Sequence, residues 1–242
     1  MVSLVTSDFE EKVDASAALL ERAARDYSPL TYACSLGAEA IVLMDLMRAR
    51  ATDVDVFSID TGRLHEETYA LLHSIKGPNG KPIRVVYPDG ARVEEVVSRF
   101  GVNGFYGSAE ARVSCCRARK VEPFKRAIAG FRAWVTGVRR EQSVTRAGLQ
   151  PIEWDSEYGL HKISPLLDWR EDDIWRYIRE RRLPYNPLHD RQYPSIGCAP
   201  CTRAVEPGEH PRAGRWWWEH EQTRECGLHP RRRKAAGDKE HR

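Results

Sequence analysis

No apolar run in this 242-residue chain approaches the roughly 20 residues that a bilayer-crossing helix needs, so no membrane role is expected. The opening MVSLVTSDFEEKVDAS has no basic segment followed by an apolar one, and a cytoplasmic protein is the expectation. There is no Walker A loop and no G-x-G-x-x-G, which removes the commonest nucleotide fingerprints. Internal repeats are absent, and the formal net charge is only +3. Most of that excess sits in PRRRKAAGDKEHR (230–242), a solvated, disordered tail by composition. With no aromatic residues interleaved among those charges, nucleic acid is not an expected partner. Six cysteines in such a chain read as ligands or catalysts rather than as a disulfide framework.

What is present is a strand–helix alternation in a chain with 41% hydrophobic and 30% charged residues. Phe9, Val13, Ala17 and Leu20 mark a first helix, with Ser7 or Asp8 as its cap. Strands are expected at 30–36, 54–60, 83–88 and 132–138, with a short one around HKISPL. Helices fall at AEAIVLMDLMRAR, HEETYALLHSI, ARVEEVVSRF, around the paired cysteines, and at WREDDIWRYIRERR, with Asp168 as the last one's cap. The fold class is therefore α/β, a mainly parallel sheet flanked by helices. Regularity stops near residue 184. The expected organisation is an α/β domain over 1–183, a C-terminal irregular arm over 184–229, and the tail over 230–242. Trp216, Trp217 and Trp218 would dock the arm.

Ligands of open α/β sheets sit beyond the carboxyl ends of the strands. Three loops there offer anion chemistry: CSLGAE with backbone amides around Gly37, DTGR with Arg63, and GVRREQSVTR with Arg139, Arg140 and Arg146. Cys115 and Cys116 stand side by side, followed by Arg117, Arg119 and Lys120. A disulfide between neighbours is strained, and adjacent cations favour thiolate. Cys198 and Cys201 form a C-x2-C spacing. Four thiolates suit tetrahedral zinc or an iron–sulfur cluster, and adjacent side chains reach two irons more easily than one zinc, which favours [4Fe–4S]. Cys34 ends an apolar strand pattern and reads as a small buried residue, whereas Cys226 lies in the polar, basic RECGLH and could be an accessible nucleophile.

Taken together, the CC pair, the C-x2-C, ECGLH, SLGAE, DTGR and the arginine loop resemble the assimilatory adenylyl-sulfate (APS) reductase family over roughly residues 30 to 230. The resemblance implies an adenine nucleotide alpha hydrolase-like fold and a [4Fe–4S] cluster on Cys115, Cys116, Cys198 and Cys201. It implies that Cys226 attacks the sulfur of adenosine 5′-phosphosulfate, that AMP leaves, and that reduced thioredoxin releases sulfite from the resulting S-sulfonate. Lys120, Arg146, Arg212 and Arg215 would be the cations at the substrate, with His229 against it. Ser35, Gly37 and Arg63 would line the nucleotide pocket, with Arg139 among the substrate contacts, and a homo-oligomer is expected. Two departures are visible: Ala40 stands where many relatives carry an acidic residue, and QSVTR is one residue shorter than in some. The competing readings are a reductase of the 3′-phosphorylated substrate PAPS, whose specific enzymes typically lack both cysteine pairs, and an ATP pyrophosphatase, which would want SGGxDS where this chain has CSLGAEA. A zinc-stapled nucleic-acid-binding module is the reading from a different class, and metal identity separates it from the rest.

Overall fold

A computed structural model of the chain describes residues 3–50, 54–142, 146 and 148–219. In chain order the elements are α1 (Ser3–Asp26), β1 (Leu30–Ala33), α2 (Ala38–Arg50), β2 (Asp55–Ile59), α3 (Glu66–Ser74), β3 (Arg84–Val86) and α4 (Gly90–Phe100). There follow α5 (Ala109–Cys116), a π-helical turn (Arg117–Val121), α6 (Glu122–Ala127), β4 (Ala133–Val135), β5 (Ile152–Asp155), β6 (Leu160–Ile163) and α7 (Glu171–Arg181). The strands form one sheet in the order β3-β2-β1-β4-β6-β5. All pairs are parallel except β5–β6.

Period-two alternation sorts strand residues between two cores. Tyr32 of β1, Val56 of β2, and Ala133 and Val135 of β4 face a large cluster with α1, α2 and α7. Their neighbours Phe57 and Trp134 face the other side and meet Phe124, Ala127 and Ile128 around α6. Both faces of the parallel strands are thus covered, as crossover helices require. Ser16 fixes α1 in place: its buried Oγ accepts from Trp169 Nε1 at 2.9 Å and donates to Pro165 O at 2.8 Å.

Three local expectations are corrected. The first helix begins at Ser3, so Ser7 and Asp8 lie inside it, and Asp8 instead pairs with Lys12 one turn on. The last helix starts after Arg170, whose amide donates to the Asp173 carboxylate at 2.8 Å; Asp168 holds Arg140 at 2.6 Å. The antiparallel edge strand β5 was not expected.

Beyond α7 the chain crosses back to the carboxyl end of the sheet. There the Ala199 amide donates to Arg63 O at 2.8 Å and the Tyr106 hydroxyl to Pro200 O at 2.7 Å. A Thr202–Arg215 bridge and the Arg203 amide to Gly214 O, 3.0 Å, fold the arm on itself. A side chain on Gly214 would lie 2.3 Å from Arg203 O, so only glycine allows that approach. The tail lies outside the described residues, and no helix among those described is long and apolar enough to cross a membrane.

Replacing Ser16 with Ala leaves the Trp169 indole donor and the Pro165 carbonyl without their partner. The expected loss is about 1–3 kcal/mol. Thermal unfolding should show it as a melting point several degrees lower, at roughly 2–4 °C per kcal/mol; an unchanged melting point would remove this link from the account.

Candidate active site

The strand order reverses direction between β1 and β4, and a cavity of about 520 Å³ opens at that switch point. Its walls come from the loops that follow β1, β2 and β4, from α5 and its π turn, and from the arm. After β1 the buried Leu36 takes a left-handed backbone conformation (φ 62°), which turns the chain sharply into α2. Ser35 Oγ accepts from the Gly37 amide at 3.5 Å, and a Cβ on Gly37 would meet nothing closer than Ser35 Oγ at 3.6 Å. After β2, Asp60 shapes the turn by accepting from the Gly62 amide (2.7 Å) and the Tyr69 hydroxyl (2.8 Å).

The cysteine pairs meet in this cavity. Cys115 and Cys116 close α5, Cys198 and Cys201 come from the arm, and all four line the cavity. Cys115, Cys198 and Cys201 pack with Phe105, Trp216 and Trp218. The Thr61 hydroxyl lies 3.2 Å from Cys198 Sγ. Four soft thiols in one another's electrostatic reach fit a thiolate-held metal group as a donor set. Among the described residues, however, no three His, Cys, Asp or Glu side chains are gathered as the ligands of a single ion.

The expectation that neighbouring cations favour thiolate is corrected at Cys115. Burial pushes its thiol up and outweighs the opposing pull of Arg119 and Arg63. Cys201 is pushed up to about 12 by burial and by the other three thiols. Cys34 is buried at 2% exposure, and burial raises it to about 12 as well, as an inert core thiol.

The helix period supplies what the sequence reading missed. Arg112 stands four residues before Cys116, and Arg119 four after Cys115, so each thiol has a guanidinium one turn away. Arg112 hydrogen-bonds Cys116, and Arg119 hydrogen-bonds Cys115 while donating to Thr61 O at 2.8 Å. Arg119 already stands out beside the pair in the sequence; a step of four residues back from Cys116 would have found Arg112 as well.

The cations expected at a substrate fall into two groups. Several already hold protein partners. Arg139 is buried against Glu39 (3.0 Å) and Glu141 (2.9 Å). Arg63 donates to Val102 O (2.6 Å) and Asn103 Oδ1 (3.2 Å) and lies over Phe105. Arg215 donates to Ser195 and Ile196 O and lies 4.7 Å over Trp216. A Cβ on Gly197 would run into that guanidinium at 2.2 Å. Arg146 donates to Gln142, which in turn holds Glu39. The Arg212 backbone amide donates to His210 Nδ1 at 3.1 Å. Lys120 differs: among the described residues its ammonium makes neither hydrogen bond nor ion pair, and it stands on the π turn that faces the cavity. Such π turns recur at functional sites. Cys226 and His229 lie outside the described residues.

A cavity at the switch point of a mainly parallel sheet, lined by four thiols and several cations, marks this chain as an α/β protein with its candidate site at the carboxyl ends of the strands. Residues 29–204 match the phosphoadenosine phosphosulfate reductase domain. The chain is 50% identical over 229 residues to the adenosine 5′-phosphosulfate reductase of Allochromatium vinosum, covering 95% of this chain and 90% of that one. It is 47% identical over 225 residues to the protein of the same name in Burkholderia cepacia, covering 93% and 90%. The chain belongs to the phosphoadenosine phosphosulfate reductase family. Among solved structures, phosphoadenylyl-sulfate reductase from Candida auris superposes with a TM-score of 0.67 at 26% identity, covering 84% of this chain and 98% of that one. An FMN adenylyltransferase from Candida glabrata shares the fold alone, with a TM-score of 0.60 at 14% identity over 93% and 79% of the two chains.

A thiol raised to about 12 is almost wholly protonated at pH 8, and only thiolate is alkylated. In chelated protein, Cys201 should react with iodoacetamide at least ~100-fold more slowly than an ordinary free thiol. Its rate should climb about tenfold per pH unit up to pH ~11. Mass spectrometry of the labelled peptides reads this directly; ordinary reactivity at pH 8 would contradict the assigned burial.

Proposed function

We propose that this chain is a thioredoxin-dependent adenosine 5′-phosphosulfate reductase with a [4Fe–4S] cluster, acting in the cytoplasm in sulfate assimilation. The observation that carries the reading is that one cavity is lined by both the strand-end loops of the switch point and all four cysteines of the two pairs. The relatives named above supply the substrate by analogy. An oxidoreductase that acts on a sulfur group needs a nucleotide grip, fixed positive charge and a nucleophilic thiol.

In this reading the nucleotide occupies the crevice beside Ser35 and Gly37, and its phosphate and sulfate meet Lys120, Arg146, Arg212 and Arg215. Arg63 and Arg139 serve the site by shaping its walls, given the partners they already hold. Bound to Cys115, Cys116, Cys198 and Cys201, the cluster would supply a fixed anionic surface that holds α5 to the arm and orients Lys120. The Cys226 thiolate attacks the sulfate sulfur, the sulfur–oxygen bond to the AMP phosphate breaks, and AMP leaves with that electron pair. His229 would lie against the substrate during this step. One thiol of reduced thioredoxin then attacks the Cys226 sulfur and expels sulfite. Its second thiol resolves the mixed disulfide, returning Cys226 and leaving oxidised thioredoxin. The thiol partner is used up stoichiometrically, one dithiol per sulfite, so no other electron source is needed.

A second substrate deserves a direct comparison, because the matching family model and the Candida auris structure both carry the 3′-phosphorylated name. Purified without oxygen, the protein should carry stoichiometric iron and sulfide and turn over adenosine 5′-phosphosulfate to sulfite and AMP faster than the 3′-phosphorylated compound. Stoichiometric zinc in place of iron would overturn the cluster, and preference for the 3′-phosphorylated compound would overturn the substrate.

Cys226→Ser should lower kcat/KM by roughly 10³-fold or more with iron content retained. Lys120→Met should lower it by roughly 10²-fold, the scale of one lost charge-stabilising donor. Sulfite release measured at saturating thioredoxin checks both; wild-type turnover in Cys226→Ser would remove that residue as nucleophile.

A further inference from the structure

Arg112 is the one buried arginine of α5, at 3% exposure, and the role just described does not use it. Its guanidinium makes three contacts at once. Nε donates to Glu219 Oε1 at 2.6 Å, in an ion pair whose side chains are 3% and 5% exposed. The same group hydrogen-bonds Cys116, one helical turn along. Its carbon lies 4.9 Å over the ring of Trp216, which is itself buried and whose amide donates to Cys201 O at 3.2 Å. One planar fork thus touches a thiol of the first pair, the backbone neighbour of the second pair, and the last described residue of the arm.

Glu219 stands seven residues before Cys226. A buried carboxylate deprived of its cation is strongly disfavoured, and the chain can relieve it without unfolding by releasing its arm into water. A guanidinium that serves both Cys116 and Glu219 cannot be re-aimed at one without changing its fit to the other.

We propose that Arg112 is a positioning residue that couples Cys116 to the docking of the arm. This coupling does not depend on the reading of Cys226 as nucleophile.

The test uses the full-length protein as purified and reads amide exchange of peptides covering 212–219 beside the visible spectrum of the thiol-bound iron. Glu219→Gln keeps every cysteine and leaves a neutral amide where the ion pair was. It is expected to speed arm exchange at least tenfold and also to shift the spectrum, because Arg112 settles differently on Cys116. Arg112→Lys, which keeps the charge and loses the fork, should do both. Arg203→Met is the control: it breaks an ion pair to Glu209 within the arm (2.8 Å) and should loosen the arm without moving the spectrum. A Glu219→Gln protein with a loose arm and an unmoved spectrum would overturn the coupling, as would wild-type arm exchange in Arg112→Lys. If the purified protein holds no iron, the cluster reading fails on its own, and the coupling is then read from Cys116→Ala. That change should speed arm exchange when Arg112 is present and have no effect in Arg112→Met; equal effects in both backgrounds would overturn the proposal.

Discussion

Positive charge crowded at the carboxyl end of one sheet is the constraint on which this molecule turns. Unit charges a few ångströms apart repel by several kcal/mol at the effective dielectric of a protein surface. The fold answers by giving most of the arginines an acceptor of their own: Glu39 and Glu141 for Arg139, Asp168 for Arg140, Glu219 for Arg112, backbone carbonyls for Arg63 and Arg119. Lys120 has no such partner among the described residues, and it lines the same cavity as the paired thiols.

The same frame serves other chemistry. A fold shared with an adenylyltransferase at 14% identity shows that the sheet and its switch point carry no reaction by themselves. What separates this chain is grafted onto that frame: two cysteines at the end of α5, two on an arm that returns across the sheet, and a π turn that presents Lys120. The arm's return is held by backbone bonds such as Ala199 to Arg63, by Tyr106 to Pro200, by the Arg112–Glu219 pair, and by Trp217 and Trp218 against Phe105 and Tyr106. Those contacts join parts of the site that lie far apart in the chain.

Local pattern made the central architecture legible. Apolar alternation marked β1, β2 and β4, and the cysteine spacings marked both halves of the thiol centre. What was not legible depended on partners distant in sequence. Arg139 reads as an unpartnered cation until Glu39, a hundred residues earlier, is seen to hold it. β5 escaped notice because IEWD is too short to show a period, and only its antiparallel pairing with β6 makes it a strand. The charge-based expectation for Cys115 failed because sequence shows the neighbouring arginines but not the burial that outweighs them. Arg112 is the opposite case: its one-turn spacing from Cys116 was in plain view, and only its contacts give that spacing meaning.

The central claim is that a sulfur group passes from the nucleotide to Cys226 at this cavity. The most direct measurement is peptide mapping by mass spectrometry after mixing the protein with adenosine 5′-phosphosulfate in the absence of any reductant. The account predicts one equivalent of AMP released and a single sulfonate on the peptide that contains Cys226. AMP released with Cys226 unmodified, or the sulfonate found on Cys115, Cys116, Cys198 or Cys201, would contradict it.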